Sequence, residues 1–428
     1  MRDSREAVAA PPPDDTRGHR DGGPPVRPVV VQVAVFGAFA AQQTLTPVLP
    51  PLARQLGLGE AGLGLLIAGA AAVVMAASPV WGRQVGRSGY RATMLSALGL
   101  AAVGAAAFAV AVRLGLAGVV TGAVLWAALI AGRALVFGAG IAGLPVAAQS
   151  YVAASIEEPA ARTRALGMVG AAQGLALIVG PLIGGALGGL SLFAPLYATP
   201  VLVLATAAVV ALRLPAGGVP AARRVSARVS WRERRLWPYL CCGVGVLVAL
   251  GMVQVTIGFL IQDRLHATHA ETARLTGLAL VSSGVGYLAA QAGLVRLLKW
   301  SPRRLVTVGA LLAAGGAALV AGASGMPAVL AGMAAVGVGL GLAVPGYTTG
   351  ATLGYAPAQQ GAVAGLVGAA NAAAFIVGPI AGTALYQWQP AAAPVAACAI
   401  LLGAAFLPAA AAPPRHPVGG ARDGDPPS

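Results

Sequence analysis

Charge is scarce in this chain, and negative charge scarcer still. Only 10% of its 428 residues are charged, against 57% that are hydrophobic. A soluble domain carries about 25% charged residues, so a chain this apolar cannot cover a water-facing surface. Lipid must be the solvent for much of it. Lysine is almost missing, with Lys299 the only one. Cysteine is limited to Cys241, Cys242 and Cys398, all in or near apolar runs. Adjacent cysteines rarely pair and no metal-ligand spacing occurs, which argues against a disulfide scaffold and a metal site. These three read as small buried residues. No nucleophile–base pair and no Walker-type lysine beside a glycine loop is present either, so an enzyme and an ATP-driven machine are both disfavoured.

What is present is a series of long apolar runs rich in Ala, Leu, Val and Gly. Only helices and closed barrels satisfy their backbone inside a bilayer. A barrel would alternate polar and apolar residues in segments of about ten, so these unbroken runs predict helices. Each span needs about 20 apolar residues. Runs of that kind lie near 29–52, 61–81, 92–112, 121–151, 164–187, 192–212, 237–262, 274–295, 304–323, 327–352, 361–385 and 390–411. The expected fold is therefore all-α and membrane-integral, with twelve transmembrane helices. Polar, Pro-rich tails at 1–28 and 412–428 read as disordered.

The formal net charge is +15, which would invite a nucleic-acid reading were it not for its placement. With twelve spans the loops fall into two alternating sets. One holds Arg83, Arg87, Arg91, Arg162, Arg164, the seven arginines between Arg213 and Arg235, Arg296, Lys299, Arg303 and Arg304. The other holds only Arg54, Arg113, Arg264 and Arg274. The positive-inside rule places the first set and both termini in the cytoplasm, as expected of a multi-pass plasma-membrane protein. The segment 213–236 then reads as a basic cytoplasmic linker between a six-helix bundle at 29–212 and a second at 237–411.

An internal repeat supports that division. Residues 167–187 read GMVGAAQGLALIVGPLIGGAL and residues 365–385 read GLVGAANAAAFIVGPIAGTAL, identical at 13 of 21 positions with a constant offset of 198. The shared I-V-G-P-x-x-G falls in the fifth and eleventh runs. Duplicated halves are a common way to build secondary transporters.

Three motifs then carry a resemblance. After the second run the chain reads Gly82-Arg83-Gln84-Val85-Gly86-Arg87-Ser88-Gly89-Tyr90-Arg91. This resembles the G-x-x-x-D-R-x-G-R-R signature of the major facilitator superfamily. Gly82, Arg87, Gly89 and Arg91 match, while Gly86 replaces the Asp and Tyr90 an Arg. The fourth run holds Arg133 followed by Gly138, similar to the family's R-x-x-x-G motif with the spacing longer by one. The fifth run resembles the efflux-antiporter motif at Gly167, Gly180, Pro181, Gly184 and Gly185, with a partial copy at Gly378 and Pro379. The resemblance implies two pseudo-symmetric six-helix bundles, and conformational gating by the loop at 82–91 and the Gly-Pro segments. It also implies a drug-efflux type of transporter, with proton coupling an open addition.

The polar inventory of the runs bears on coupling and substrate. All 13 acidic residues lie in tails, loops or run ends, as do His19, His266, His269 and His416. Proton-coupled transporters commonly carry the proton on an intramembrane Asp, Glu or His, and none is evident here. Arg133 is the one charge deep in a run, where it costs about 2.5–3.5 kcal/mol on insertion scales. Gln42, Gln43, Gln173, Gln254 and Asn371 are the amides. Gln173 and Asn371 occupy equivalent repeat positions, seven residues and about two helical turns before their Gly-Pro pairs. With Trp126 and Tyr347 these residues form the expected substrate cavity. The chain is expected to be a monomeric exporter of drugs or small organic metabolites, with no cofactor, no metal and no nucleic-acid partner. An importer or facilitator of a small organic anion and a non-transporting receptor or scaffold are the alternatives.

Overall fold

The structure is a computed structural model and describes residues 28–156, 158–215, 230, 233–353, 355 and 357–407. The tails and most of the segment 213–236 lie outside the described residues, so the expectations for them are neither met nor missed. Among the described residues every regular element is helical. In chain order they are α1 (Pro28–Thr44), α2 (Leu49–Gln55), α3 (Gly59–Leu116), α4 (Gly122–Ser155), α5 (Pro159–Leu190), α6 (Ala194–Arg213), α7 (Trp237–Leu265), α8 (His269–Leu298), α9 (Pro302–Gly322), α10 (Met326–Thr352), α11 (Pro357–Trp388) and α12 (Ala392–Phe406). Ten helical stretches are long and apolar enough to cross a membrane, the first of them joining α1 and α2. The stretch Ala392–Phe406 is apolar but shorter.

The 58 residues of α3 would reach about 87 Å as one straight helix, nearly three times the bilayer's hydrocarbon core. They do not run straight. Gly89 adopts φ 77° and ψ 173°, a backbone region essentially reserved for glycine, and the chain folds back there. The return is visible in the packing: Gly62 in the first arm lies against Trp126, and Gly115 in the second lies against Leu125. Both arms thus end beside the start of α4. The first expected span also differs from a single helix, because the chain turns at 45–48 between α1 and α2.

The helices sort into two groups. In the first, α1 packs on α4, α5 and α6, and α3 packs on α4 and α6. In the second, α7 packs on α10, α11 and α12, while α9 packs on α10 and α12. The groups meet chiefly through α5 with α8 and α3 with α11. At one end their apolar cores merge: Leu45, Leu49, Leu52, Leu63 and Leu66 share one buried cluster with Met252, Phe259, Leu260 and Leu280. At the opposite end the cores separate. There the first group has its own cluster around Val31, Val35, Met94, Leu98, Phe137 and Leu144, while the shared cluster continues only in the second group, through Tyr239, Val306, Tyr347 and Ala351, beside a small one of Ala290, Leu305 and Leu342. This second end carries Arg83, Arg87, Arg91, Arg162, Arg164, Arg296 and Lys299. It is called the basic face below, and the first the joined face.

Candidate functional site

The glycine-rich repeats lie along the seam between the groups. A side chain at Gly185 would begin 2.9 Å from the Gly277 Cα, and one at Gly277 would begin 2.7 Å from the Gly185 Cα. Two glycines therefore let α5 and α8 touch backbone to backbone, the small-residue contact that drives helix association in lipid. Gly180 and Gly184 face the other way, toward the Ala40 and Thr44 carbonyls of α1. The copy repeats the scheme. Gly378 lies on Val248 and Gly251 of α7, and the Pro379 carbonyl and Thr383 meet Gly64 of α3. Helix α5 runs unbroken through Pro181. Nearer the basic face the same helices are bare: glycines at 167, 170, 365 and 368 have open space where a side chain would stand. The groups thus form a wedge, closed at the joined face.

Several polar side chains lie on the helices that border this wedge. The Tyr347 hydroxyl donates to Asn371 Oδ1 at 3.2 Å. Its ring is 1% exposed and lies on Gly243. Tyr287 bonds Gln291 and lies beside Gly174, the neighbour of Gln173 in the opposite group. Cys242 belongs to the same buried cluster as Tyr347, and Tyr287 packs against it. Cys242 and Gln291 escaped the sequence reading, the first because a lone cysteine reads as packing, the second because it sits near a span end. Gln173 and Gln254 are half-buried and show no hydrogen bond to another described residue. Gln42 Oε1 is buried without a partner. Gln43 departs from its expected role, since its Cβ packs against Gly180. Trp126 likewise stacks on Gly62.

Arg133 is 7% exposed. Its Nε has no hydrogen-bond partner, and its guanidinium lies 4.9 Å from the centre of the Phe137 ring. Residues Ile130–Val136 around it form a π-helical turn. A second such turn, Ala290–Leu294, holds Gln291. Single π turns recur at functional sites because they shift a helix face and loosen its hydrogen bonding. Here each group carries one polar residue in such a turn.

The loop at 82–91 acts within one group only. Arg91 donates from Nη2 to the Ala211 carbonyl of α6 at 2.8 Å, and Tyr90 meets Tyr151 edge-on. Gly82 and Arg87 are exposed, and nothing lies near Gly86. Among the described residues this loop makes no ion pair with the second group.

The joined face carries a polar cluster that the sequence reading passed over. Arg54 donates from Nη1 and Nη2 to both carboxylate oxygens of Asp263, the Nη2–Oδ2 distance being 2.9 Å. It also reaches Glu60 Oε1 from Nη2 at 2.9 Å and from Nε at 3.2 Å, and Gln262 Oε1 at 3.2 Å. The Tyr386 hydroxyl donates to Asp263 Oδ2 at 2.6 Å. Gln262 in turn meets His269 Nδ1 at 3.0 Å, and the guanidinium lies over Phe259. Each of these residues sits at a helix end, and Arg54 and Asp263 are 209 positions apart, so no local pattern announces the cluster.

A helical membrane protein of two packed groups, with unpaired polar side chains between them, has the form of a solute carrier. The family model of the Major Facilitator Superfamily matches residues 32–349, and the chain belongs to that family. Its structure is similar to that of the human organic anion transporter MFSD10 (TETRAN), with a TM-score of 0.64 and 19% identity over 90% of this chain and 100% of that one. It is similar as well to a bacterial homolog of the human lysosomal transporter Spinster in an inward-facing and occupied conformation, at 0.64 and 13% over 90% and 94%. The nucleoside transporter NupG follows the same course at 0.65 and 12% over 89% and 97%. At these identities the likeness is one of fold.

Proposed function

We propose that this transporter exports small organic molecules by alternating access, its two groups rocking about a site between them. The supporting observation is a set of polar groups that lack a hydrogen-bond partner among the described residues: Gln42 Oε1, Gln173 and the Arg133 Nε in the first group and Gln254 in the second, with Asn371, Tyr287 and Tyr347 also in the second. Polar groups without partners at membrane depth are costly, and a solute or water is what satisfies them. On this reading the two arms of α3 cross separately and Ala392–Phe406 completes twelve crossings. The bundles are 29–212 and 237–411, the basic face and both termini are cytoplasmic, and the protein acts as a monomer in the plasma membrane. The likeness to efflux-type members at Gly180, Pro181, Gly184 and Gly185 favours export.

A second reading, carriage of an organic anion, is favoured by Arg133. No acidic side chain pairs with it among the described residues, so an anionic ligand is its natural counter-charge. One screen tests both. Cells with and without the protein are compared for accumulation of a panel of dyes and metabolites of either charge, before and after collapse of the proton gradient. Export predicts lower accumulation, import higher, and a scaffold no change; insensitivity to the gradient would remove proton coupling.

A further inference from the structure

The cluster at the joined face is built to be broken, and its two spare partners show how. Arg54 and Glu60 belong to the first group, Asp263 and Tyr386 to the second. The bidentate Arg54–Asp263 contact therefore spans the seam, at the end where the groups must part if that face is to open. Side-chain exposures of 24% for Arg54, 20% for Glu60 and 37% for Asp263 put the cluster at the rim, reachable by water.

Parting the groups would strand a guanidinium on one side and a carboxylate on the other. Unpaired charge at a membrane rim is unfavourable. The structure supplies a substitute on each side. Arg54 already holds Glu60, six residues along in its own group, with two hydrogen bonds. Asp263 already accepts from Tyr386 within its own group. We propose that Arg54–Asp263 is a latch holding the joined face closed, and that Glu60 and Tyr386 are holding partners that keep each half satisfied once the latch opens. The inference rests on the alternating-access reading for its meaning but not for its test.

The two roles predict opposite signs, which a merely structural cluster would not give. Removing a latch member costs the closed state more than the open one. Removing a holding partner costs the open state more, because the partner's group is then left bare only there. Asp263→Asn and Arg54→Gln should each raise the ratio of open to closed joined face by about three- to tenfold, the range for a partly exposed charge-assisted pair. Together they should raise it little further, since they break one contact. Glu60→Gln and Tyr386→Phe should lower the same ratio by about two- to fivefold.

The measurement is a distance distribution by pulsed electron resonance on the full chain in lipid nanodiscs. Spin labels are placed at Gln55→Cys and Gln389→Cys, exposed sites in opposite groups at the joined face. The three native cysteines are replaced, and folding is checked by size exclusion and melting. Opposite shifts for the two pairs of variants support the latch. Shifts of one sign in all four, or no shift in any, overturn it. Because distances are read without a solute, a protein that shows the opposite shifts yet moves nothing in the accumulation screen would refute the transport reading and leave the latch standing.

Discussion

At the scale of single residues, Arg133 is the clearest tension between cost and retention. A buried arginine near a helix centre is expensive by about 2.5–3.5 kcal/mol on insertion scales, and its one described contact is a ring face. If it only packed helices, Arg133→Ala would leave transport intact and relieve strain. The expected result is different: melting temperature unchanged or higher, with the initial transport rate of whichever solute the screen identifies reduced roughly tenfold or more, the loss of one charge-assisted hydrogen bond. Unchanged rates in correctly inserted protein would show that Arg133 is not a binding residue. Tyr347 and Asn371 call for a comparison of the same kind. Interhelical hydrogen bonds in membranes average only about 0.6 kcal/mol, so Asn371→Ala should barely move stability, and a large change in transport would mark the amide as part of the solute site.

At the scale of elements, the sharpest dependence is that of α3 on Gly89. With φ 77° and ψ 173°, a side chain there would be strained by about 1–3 kcal/mol, so Gly89→Ala should lower the melting temperature and the yield of inserted protein. An equal melting curve would mean the turn tolerates a Cβ. The turn was half legible beforehand. The motif Gly82–Arg91 marked a loop between two runs, but not that helix would continue to its brink on both sides. The packing inside each group was more legible, because the repeat at 167–187 and 365–385 carries its own spacing, and Gly180, Gly184 and Gly378 pack on equivalent partners, α1 and α7. Hydropathy located the helices because an apolar run of given length is a local property. It could not locate the π turns at 130–136 and 290–294, which leave composition untouched. Nor could it find the Arg54–Asp263 pairing, since helix ends far apart in sequence look alike until the fold brings them together.

At the scale of the whole molecule, the merging of two cores at one face and their separation at the other gives one conformation, which the proposed alternating access makes one stage of a cycle. Transport by alternating access requires the joined face to open, so a covalent bond across it must stop turnover without disturbing the fold. The seam offers a site for one. A Cβ at Gly189 of α5 would lie 3.5 Å from the Arg274 Cβ of α8, at the short end of the Cβ separations found in disulfides. In a background without the native cysteines, Gly189→Cys with Arg274→Cys should form the bond under mild oxidation. Either single variant should keep transport, and so should the reduced double variant. The oxidised double variant should lose at least nine-tenths of the activity and regain it on reduction. It should also hold the spin-label distances of the joined face in their closed population whatever the state of the latch, because a covalent bond outweighs an ion pair at a wet rim. Full activity in the oxidised double variant, with the bond verified by mass, would mean that this face does not open during transport, and the rocking of the two groups would have to be abandoned.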